Sequence, residues 1–177
     1  MECYPYLESE AKLAPDHAVA AIIVMDDDTY LMQLRDAKPD IFFPAHWGCF
    51  GGAIEAGESE LDTLRRELME ELDYELDPVS ASYFTKFEFD FGFAGHGTIR
   101  RSYYQISMPL PLLPTLTLGE GRDMRALSAE QLLLKQHTTP YDAHAIWMHA
   151  QQLRLRTTGQ LRPRQSDPDS AVKSSPE

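Results

Sequence analysis

The segment from Gly52 to Glu71 constrains this chain more than any other part of its sequence. It ends in three carboxylates, Glu67, Glu70 and Glu71, which are spaced at i, i+3 and i+4. Side chains with this spacing stack on one face of an α-helix. Because three anions held so close together repel one another, we expect a positive group beside them.

The residues around these carboxylates predict an α-helix that has an apolar face as well as the acidic one. Ser59 followed by Asp62 has the pattern of a capping box, which predicts where the helix begins. Leucines recur at helical spacing along one stripe, at Leu61, Leu64, Leu68 and Leu72. We expect this stripe to be buried and the carboxylates to lie on a different face.

A glycine-rich turn, with Gly51, Gly52 and Gly57, precedes the helix. Such a turn lets the backbone approach a ligand closely, and the start of a helix favours anions. Carboxylate oxygens select hard cations, and Mg²⁺ leaves its remaining positions to water and substrate phosphates. Arg66, which is next to Glu67 on the helix, can hold one carboxylate by a two-point contact. The pattern therefore indicates a metal ion bound to a polyphosphate.

The same stretch resembles the Nudix box, a spaced pattern of glycine, glutamate, Arg-Glu-apolar, Glu-Glu and glycine-apolar. The matching positions are Gly52, Glu58, Arg66, Glu67, Leu68, Glu70, Glu71 and Tyr74. Asp73 replaces the last glycine, and Phe50 replaces a proline that commonly precedes the two glycines. That last glycine would be a left-handed helix terminus, which Asp tolerates better than most residues. We therefore expect the first departure to affect the end of the helix and not the metal site.

The resemblance implies a pyrophosphohydrolase that depends on Mg²⁺ or Mn²⁺. Water would attack one phosphorus of a nucleoside diphosphate derivative and release a nucleoside monophosphate. The implied metal ligands are Glu67, Glu70 and Glu71, with the carbonyl of Gly51 or Gly52 completing the sphere and Glu58 supporting either the loop or the metal. Arg66 would orient a glutamate. The base that activates the water stays open between Glu70, Glu71 and Glu120.

The substrate also stays open, because selectivity depends on loops outside the box. Nucleotide sugars, (deoxy)nucleoside triphosphates and dinucleoside polyphosphates are the alternatives. Two other classes of function are a nucleotide-binding sensor without turnover and a purely structural or partner-binding domain. A sensor without turnover would be expected to lack a carboxylate of the box, and none is missing.

Four residues outside the box are candidates for substrate binding. Trp47 could stack on a base, although an aromatic residue beside a core strand more often packs inside. Arg100, Arg101 and Tyr103 follow a turn on a predicted strand and could contact phosphate or base. Alternatively, the two arginines are solvated and the tyrosine is half-buried, and none of the three contacts substrate.

Composition limits the partners and the compartment. The 177 residues carry a formal net charge of -12, so nonspecific binding to duplex nucleic acid through a basic surface is not expected. Cys3 and Cys49 are too few for a disulfide framework and lack zinc spacing. No stretch approaches the length of a membrane span and no signal segment is present, so we expect a cytoplasmic protein. A homodimer is compatible with the resemblance.

The order of apolar patterns predicts an α/β fold. Strands are predicted over residues 17–25, 29–34, 46–50, 82–93 and 98–108. Helices are predicted after Ser59, over 129–134 and from Pro140, the last with Ile146, Ala150 and Leu153 buried. Residues 116–127 resemble the family's later strand. By resemblance the fold is a Nudix-like α/β/α sandwich with a mixed sheet between helices. We expect one domain over residues 1–156 and a disordered tail over 157–177.

Overall fold

The structure, a computed structural model, describes residues 17–92 and 97–159. Expectations for residues 1–15, for Phe93 and for the tail beyond residue 159 lie outside this range. The division into a domain and a C-terminal tail therefore stays a prediction.

Six strands of the described residues form one mixed sheet. They are β1 His17–Met25, β2 Tyr30–Leu34, β3 Trp47–Gly48, β4 Ala81–Asp90, β5 Thr98–Met108 and β6 Asp123–Leu127. The order is β3-β2-β1-β5-β4, and β6 pairs with β2. Strands β1 and β5 run parallel along the whole of β1, from His17 opposite Arg100 to Met25 opposite Met108. The other strand pairs are antiparallel.

Helices cover both faces of the sheet. They are α1 Glu60–Leu72, α2 Ala129–Leu134 and α3 Pro140–Thr157. Strand β1 contributes alternate residues to two cores because successive side chains of a strand point to opposite faces. Val19, Ala21 and Ile23 pack in the core that contains the α1 leucines. Ala20, Ile22 and Val24 pack in the core of α2 and α3. The predicted α/β/α sandwich is thereby confirmed.

Helix α1 has the ends that its sequence predicts. Ser59 accepts from the amide of Asp62, and the Asp62 carboxylate accepts from the amide of Ser59, which completes the capping box. The buried stripe includes Leu64, Leu68 and Leu72. Leu61, also predicted in this stripe, is only half-buried, and of the three box carboxylates Glu71 is buried whereas Glu67 and Glu70 are not.

Several predicted bounds differ from the structure. The strand predicted over residues 46–50 is reduced to Trp47–Gly48, and the strand predicted over 82–93 ends at Asp90. The strand predicted over residues 116–127 begins only at Asp123, because the amides of Thr117 and Gly119 donate to carbonyls of α1 instead of to a strand. The buried stripe of α3 consists of Tyr141, Asp142, Ala145, Ile146 and His149. Only Ile146 was predicted correctly, since Ala150 and Leu153 line an open groove beside Asp28 and Tyr30.

Candidate active site

The Arg66 guanidinium lies at the centre of the acidic face of α1. Its Nη1 donates to Glu67 Oε1 at 2.7 Å and to Glu70 Oε2 at 3.3 Å. Its Nε and Nη2 contact the two oxygens of Glu58 at 2.9 and 3.0 Å. A fifth bond, from Nη2 to the carbonyl of Ala53 at 3.1 Å, fixes the side chain against the glycine turn. One cation therefore orients three carboxylates.

Glu58 holds the turn that precedes α1. Besides Arg66, its carboxylate accepts from the hydroxyl of Thr63 at 2.8 Å and from the amide of Glu55 at 3.2 Å. The hydrogen bonds from Arg66 lower the pKa of Glu58 to about 2. These contacts engage both carboxylate oxygens, which favours support of the loop over direct metal binding.

Glu71 is the buried member of the acidic set, with 6% of its surface exposed. The amide of Gly51 donates to its Oε2 at 2.8 Å, and the side-chain nitrogen of Gln33 donates to its Oε1 at 3.1 Å. Both donors are neutral, and within residues 17–92 and 97–159 no ion pair reaches this carboxylate. Burial raises the pKa of Glu71 to about 7, and the charges of Glu67 and Glu120 add to the shift.

The glycine turn brings backbone directly against this acidic set. Gly51 has φ 128°, in the region that favours glycine. A Cβ on Gly52 would collide with the Glu67 carboxylate, so the helix face and the turn touch here. The Gly52 carbonyl already accepts from the Val19 amide at 2.9 Å and keeps a second lone pair.

The loop before β6 adds Glu120 to the same region. The amide of Thr117 donates to the Leu72 carbonyl at 3.1 Å, and the amide of Gly119 donates to the Glu71 carbonyl at 2.8 Å. These bonds satisfy carbonyls at the end of α1. The Glu120 carboxylate lies near enough to raise the pKa of both Glu67 and Glu71.

We expect Gly119→Ala to displace this loop. A Cβ at Gly119 would collide with the Glu70 carbonyl, and backbone cannot rotate aside as a side chain can. The loss of unfolding free energy should be about 1 to 3 kcal/mol, in the range of overpacked sites. Urea unfolding measures it, with Gly97→Ala as the comparison, since nothing lies within 4 Å of that Cβ position and its φ is outside the left-handed region. An unchanged Gly119→Ala midpoint would contradict the close contact.

The chain matches the NUDIX domain family over residues 15–168. The chain belongs to the Nudix family. The assignment made from the box is confirmed, including its class of enzyme, a Nudix pyrophosphohydrolase. No curated protein matches the sequence.

Solved structures share the Nudix fold of this chain. The MutT protein from Methanosarcina mazei Go1 superimposes with a TM-score of 0.66 at 16% identity, over 82% of this chain and 98% of that one. The E. coli dihydroneopterin triphosphate pyrophosphohydrolase has a TM-score of 0.60 at 18% identity, over 78% and 97%. A bifunctional NMN adenylyltransferase/ADP ribose pyrophosphatase from Francisella tularensis, in complex with AMP and Mn ion, has a TM-score of 0.61 at 19% identity, over 84% and 44%. These likenesses establish the fold.

The departure of the Nudix box at Asp73 is accommodated as predicted. Asp73 ends α1 in the left-handed conformation, with φ 51° and ψ 39°, and its amide donates to the Met69 carbonyl at 3.0 Å. The helix therefore ends as it would with glycine, and the carboxylates of the box keep their places.

Asp73→Gly is expected to leave activity nearly unchanged. The glycine relieves left-handed strain of about 1 to 2 kcal/mol, and its greater freedom in the unfolded chain offsets about 0.5 to 1 kcal/mol of that gain. The unfolding midpoint should therefore rise slightly or stay the same. Steady-state kinetics beside urea unfolding checks both, and a collapse in activity would give Asp73 a role beyond ending the helix.

Three of the four candidates for substrate binding, Trp47, Arg101 and Tyr103, lie on the α3 side of the sheet, opposite to α1. Tyr103 is 0% exposed and packs with Trp47 in the core on the α3 side of the sheet. Arg101 forms a buried ion pair with Asp142 at 3.2 Å. Arg100 is on the surface and pairs with Glu88 at 3.2 Å. Trp47, Arg101 and Tyr103 therefore have packing or ion-pair roles in this conformation, and substrate contact by the four stays a prediction.

Asp142 explains why Arg101 and Tyr103 are buried. Its carboxylate also accepts from the Tyr103 hydroxyl at 2.9 Å, from the Cys49 amide at 2.9 Å and from the Thr139 hydroxyl at 2.8 Å. A buried carboxylate needs such partners. The network joins β5 and α3 to the residue that follows β3, and no local motif in the sequence indicates it.

The acidic face has the chemistry of a site for a hard cation. Its donors are oxygens only, from Glu67, Glu70, Glu71 and a glycine carbonyl, and Mg²⁺ needs only one or two carboxylates besides water and phosphate. In the described part of the chain, no three His, Cys, Asp or Glu side chains are already arranged around a metal position. Glu67 and Glu70 contact Arg66 instead, so metal binding requires these side chains to turn.

Proposed function

We propose that the chain hydrolyses the diphosphate linkage of a nucleoside diphosphate derivative, with Mg²⁺ or Mn²⁺ bound at the acidic face of α1. The observation that carries this proposal is the buried Glu71 carboxylate. It faces two further anions and has only neutral donors. Such a carboxylate is stabilised when a cation binds beside it.

Each residue of the face has a distinct role in the proposal. Glu67, Glu70 and Glu71 hold the metal with the carbonyl of Gly51 or Gly52, and Glu58 holds Arg66 and the turn. Arg66 orients Glu67 and Glu70 until the metal binds. The ion supplies charge stabilisation for the phosphoryl group. Glu120, Glu70 and Glu71 are the candidate bases for the attacking water.

Support for the substrate class comes from the named activities of the structural neighbours. These are hydrolysis of dihydroneopterin triphosphate and of ADP ribose, and one neighbour holds AMP and a manganese ion. Dihydroneopterin triphosphate and ADP ribose each contain a diphosphate linkage. Nucleotide sugars, (deoxy)nucleoside triphosphates and dinucleoside polyphosphates are therefore the classes to test.

The remaining expectations about partners concern membranes and oligomers. No helix in residues 17–92 or 97–159 is long and apolar enough to cross a bilayer. The homodimer and the cytoplasmic location stay predictions.

The test is hydrolysis of these three classes with Mg²⁺, with Mn²⁺ and with EDTA. We expect metal-dependent release of a nucleoside monophosphate from one class and none with EDTA. Reaction in ¹⁸O-labelled water then identifies the attacked phosphorus by the product that carries the label. No turnover in a protein that metal plus nucleotide still stabilises would instead indicate the binding sensor. Absence of both effects would overturn the metal site as well.

A further inference from the structure

We propose that Gln33 is a positioning residue that fixes the Glu120 loop to the Glu71 carboxylate. This inference rests on the proposed function, because it assigns Gln33 a role in spacing two groups of that site. Gln33 lies outside the box, on strand β2.

The geometry of the Gln33 amide carries the inference. Its Nε2 donates to Glu71 Oε1 at 3.1 Å and to the backbone carbonyl of Glu120 at 3.0 Å. An amide nitrogen has two hydrogens, so both bonds form together. Both partners are oxygen acceptors, so the amide nitrogen and not the amide oxygen of Gln33 must face them. This fixes the orientation of the amide. One side chain thereby joins α1 to the loop.

Gln33 is itself held rigidly. Its backbone pairs with Gly48 on β3 and with Met124 on β6, so the sheet supports it on both sides. The residue is 5% exposed. A buried side chain on a doubly paired strand has little freedom, and it therefore serves as a fixed reference for groups on other elements.

The loop fits closely against Gln33. A Cβ on Gly121 would lie 2.8 Å from Gln33 Cγ and 2.9 Å from the Leu34 carbonyl. The amides of Gly119 and Arg122 anchor the loop on either side, to α1 and to β2. Between these anchors, the bond from Gln33 is the contact that holds the Glu120 backbone. Loss of that bond frees the residue that carries the candidate base.

Gln33→Met tests this role, because methionine keeps the length and the apolar packing but donates no hydrogen bond. The matched control is Gln105→Met, the same change at a half-buried position of β5 on the far side of β1. We expect Gln33→Met to lower kcat or Mn²⁺ affinity by about 10- to 100-fold, as for other residues that orient metal ligands, with KM changed less. Gln105→Met should match the wild type.

Amide hydrogen exchange provides a readout that does not require activity. In the metal-free protein, Gln33→Met should speed exchange of the Gly119 and Arg122 amides more than that of the amides at the middle of α1. Gln33→Glu keeps the shape but places a second anion against Glu71, and it should impair Mn²⁺ binding more than Gln33→Met does. Calorimetric titration with Mn²⁺ measures this difference.

The possible results separate this inference from the proposed function. If wild type and Gln105→Met hydrolyse a substrate and bind Mn²⁺, but Gln33→Met equals them in kcat, Mn²⁺ affinity and loop exchange, the positioning role is overturned. If exchange of the whole protein rises uniformly, Gln33 is a residue of the core only and the positioning role is also overturned. If the wild type neither hydrolyses any substrate nor binds Mn²⁺, the proposed function fails instead.

Discussion

Glu71→Gln is expected to lower kcat by about a thousandfold, since a metal ligand contributes several kcal/mol to stabilising phosphoryl charge. Glutamine keeps the shape of glutamate and removes its charge. The amide of Gly51 can still donate to the oxygen of the new side chain, so the fold should be retained. A variant that turns over at the wild-type rate would remove Glu71 from the metal site.

The same substitution should make the metal-free protein more stable near pH 8. Burial raises the pKa of Glu71 to about 7, whereas glutamate in an unfolded chain ionises near 4.5. Between these values the folded protein keeps a proton that the unfolded chain has released, so rising pH favours unfolding. The unfolding free energy of the wild type should fall by about 3 kcal/mol across this interval, whereas the glutamine of the variant cannot ionise.

Urea unfolding in EDTA at pH 5 and pH 8 measures this effect. Glu75→Gln is the matched control, because Glu75 is an exposed carboxylate just beyond the end of α1. Wild type and control should lose stability towards pH 8 by an amount that the Glu71→Gln variant does not show. Equal pH dependence in all three proteins would mean that Glu71 ionises normally. Added Mg²⁺ should reduce the difference, because the ion binds more tightly to the wild-type site, which has one carboxylate more than the variant, and so stabilises the wild type more.

Replacement of Arg66 has the second largest expected effect. Arg66→Met removes the cation that orients Glu58, Glu67 and Glu70, and activity should fall by about 100-fold. Arg66→Lys keeps the charge but not the two-point contact with Glu58, so its activity should lie between that of the wild type and that of Arg66→Met. The metal-free protein should also be less stable in the Met variant, because the three carboxylates would then repel one another.

Kinetics over a range of Mg²⁺ concentrations tests this role. The control is Arg65→Met, which changes an exposed arginine on the same helix. High Mg²⁺ should restore part of the activity of Arg66→Met, since the ion can neutralise the carboxylates itself. If Arg65→Met and Arg66→Met behave alike, the hydrogen bonds of Arg66 do not position the site.

The sequence predicts helices and strands well where the residues that determine them are neighbours in the chain. The bounds of β1 follow from an apolar run, those of β5 from its position after a glycine turn, and those of α2 from a capping box. Asp73 takes the backbone conformation expected of it. The box also predicts that Arg66 contacts a carboxylate, because both lie on one helix.

Long-range contacts could not be predicted in the same way. Gln33 reaches Glu71 only because β2 and α1 meet in the folded chain, and one glutamine in a strand carries no local signal. Residues before Asp123 form a loop instead of the expected strand, because amides of this segment donate to carbonyls at the end of α1. Similarly, Arg101 and Tyr103 are residue types that suit a surface site, but both are buried in contact with Asp142, which lies on α3 and is distant in sequence.

The parallel pairing of β1 with β5 also determines when the site can assemble. These strands are central in the sheet, yet the whole box and all of β4 lie between them in sequence. Pairing strands so far apart in sequence requires closing a long segment before the contacts between them form, which slows folding. During synthesis, α1 therefore emerges from the ribosome before the strand that completes its sheet, and the Glu120 loop emerges later still. Until β5 forms, the core against which α1 packs lacks Ile106 and Met108, and the net negative charge of the helix favours solubility of the chain in that state.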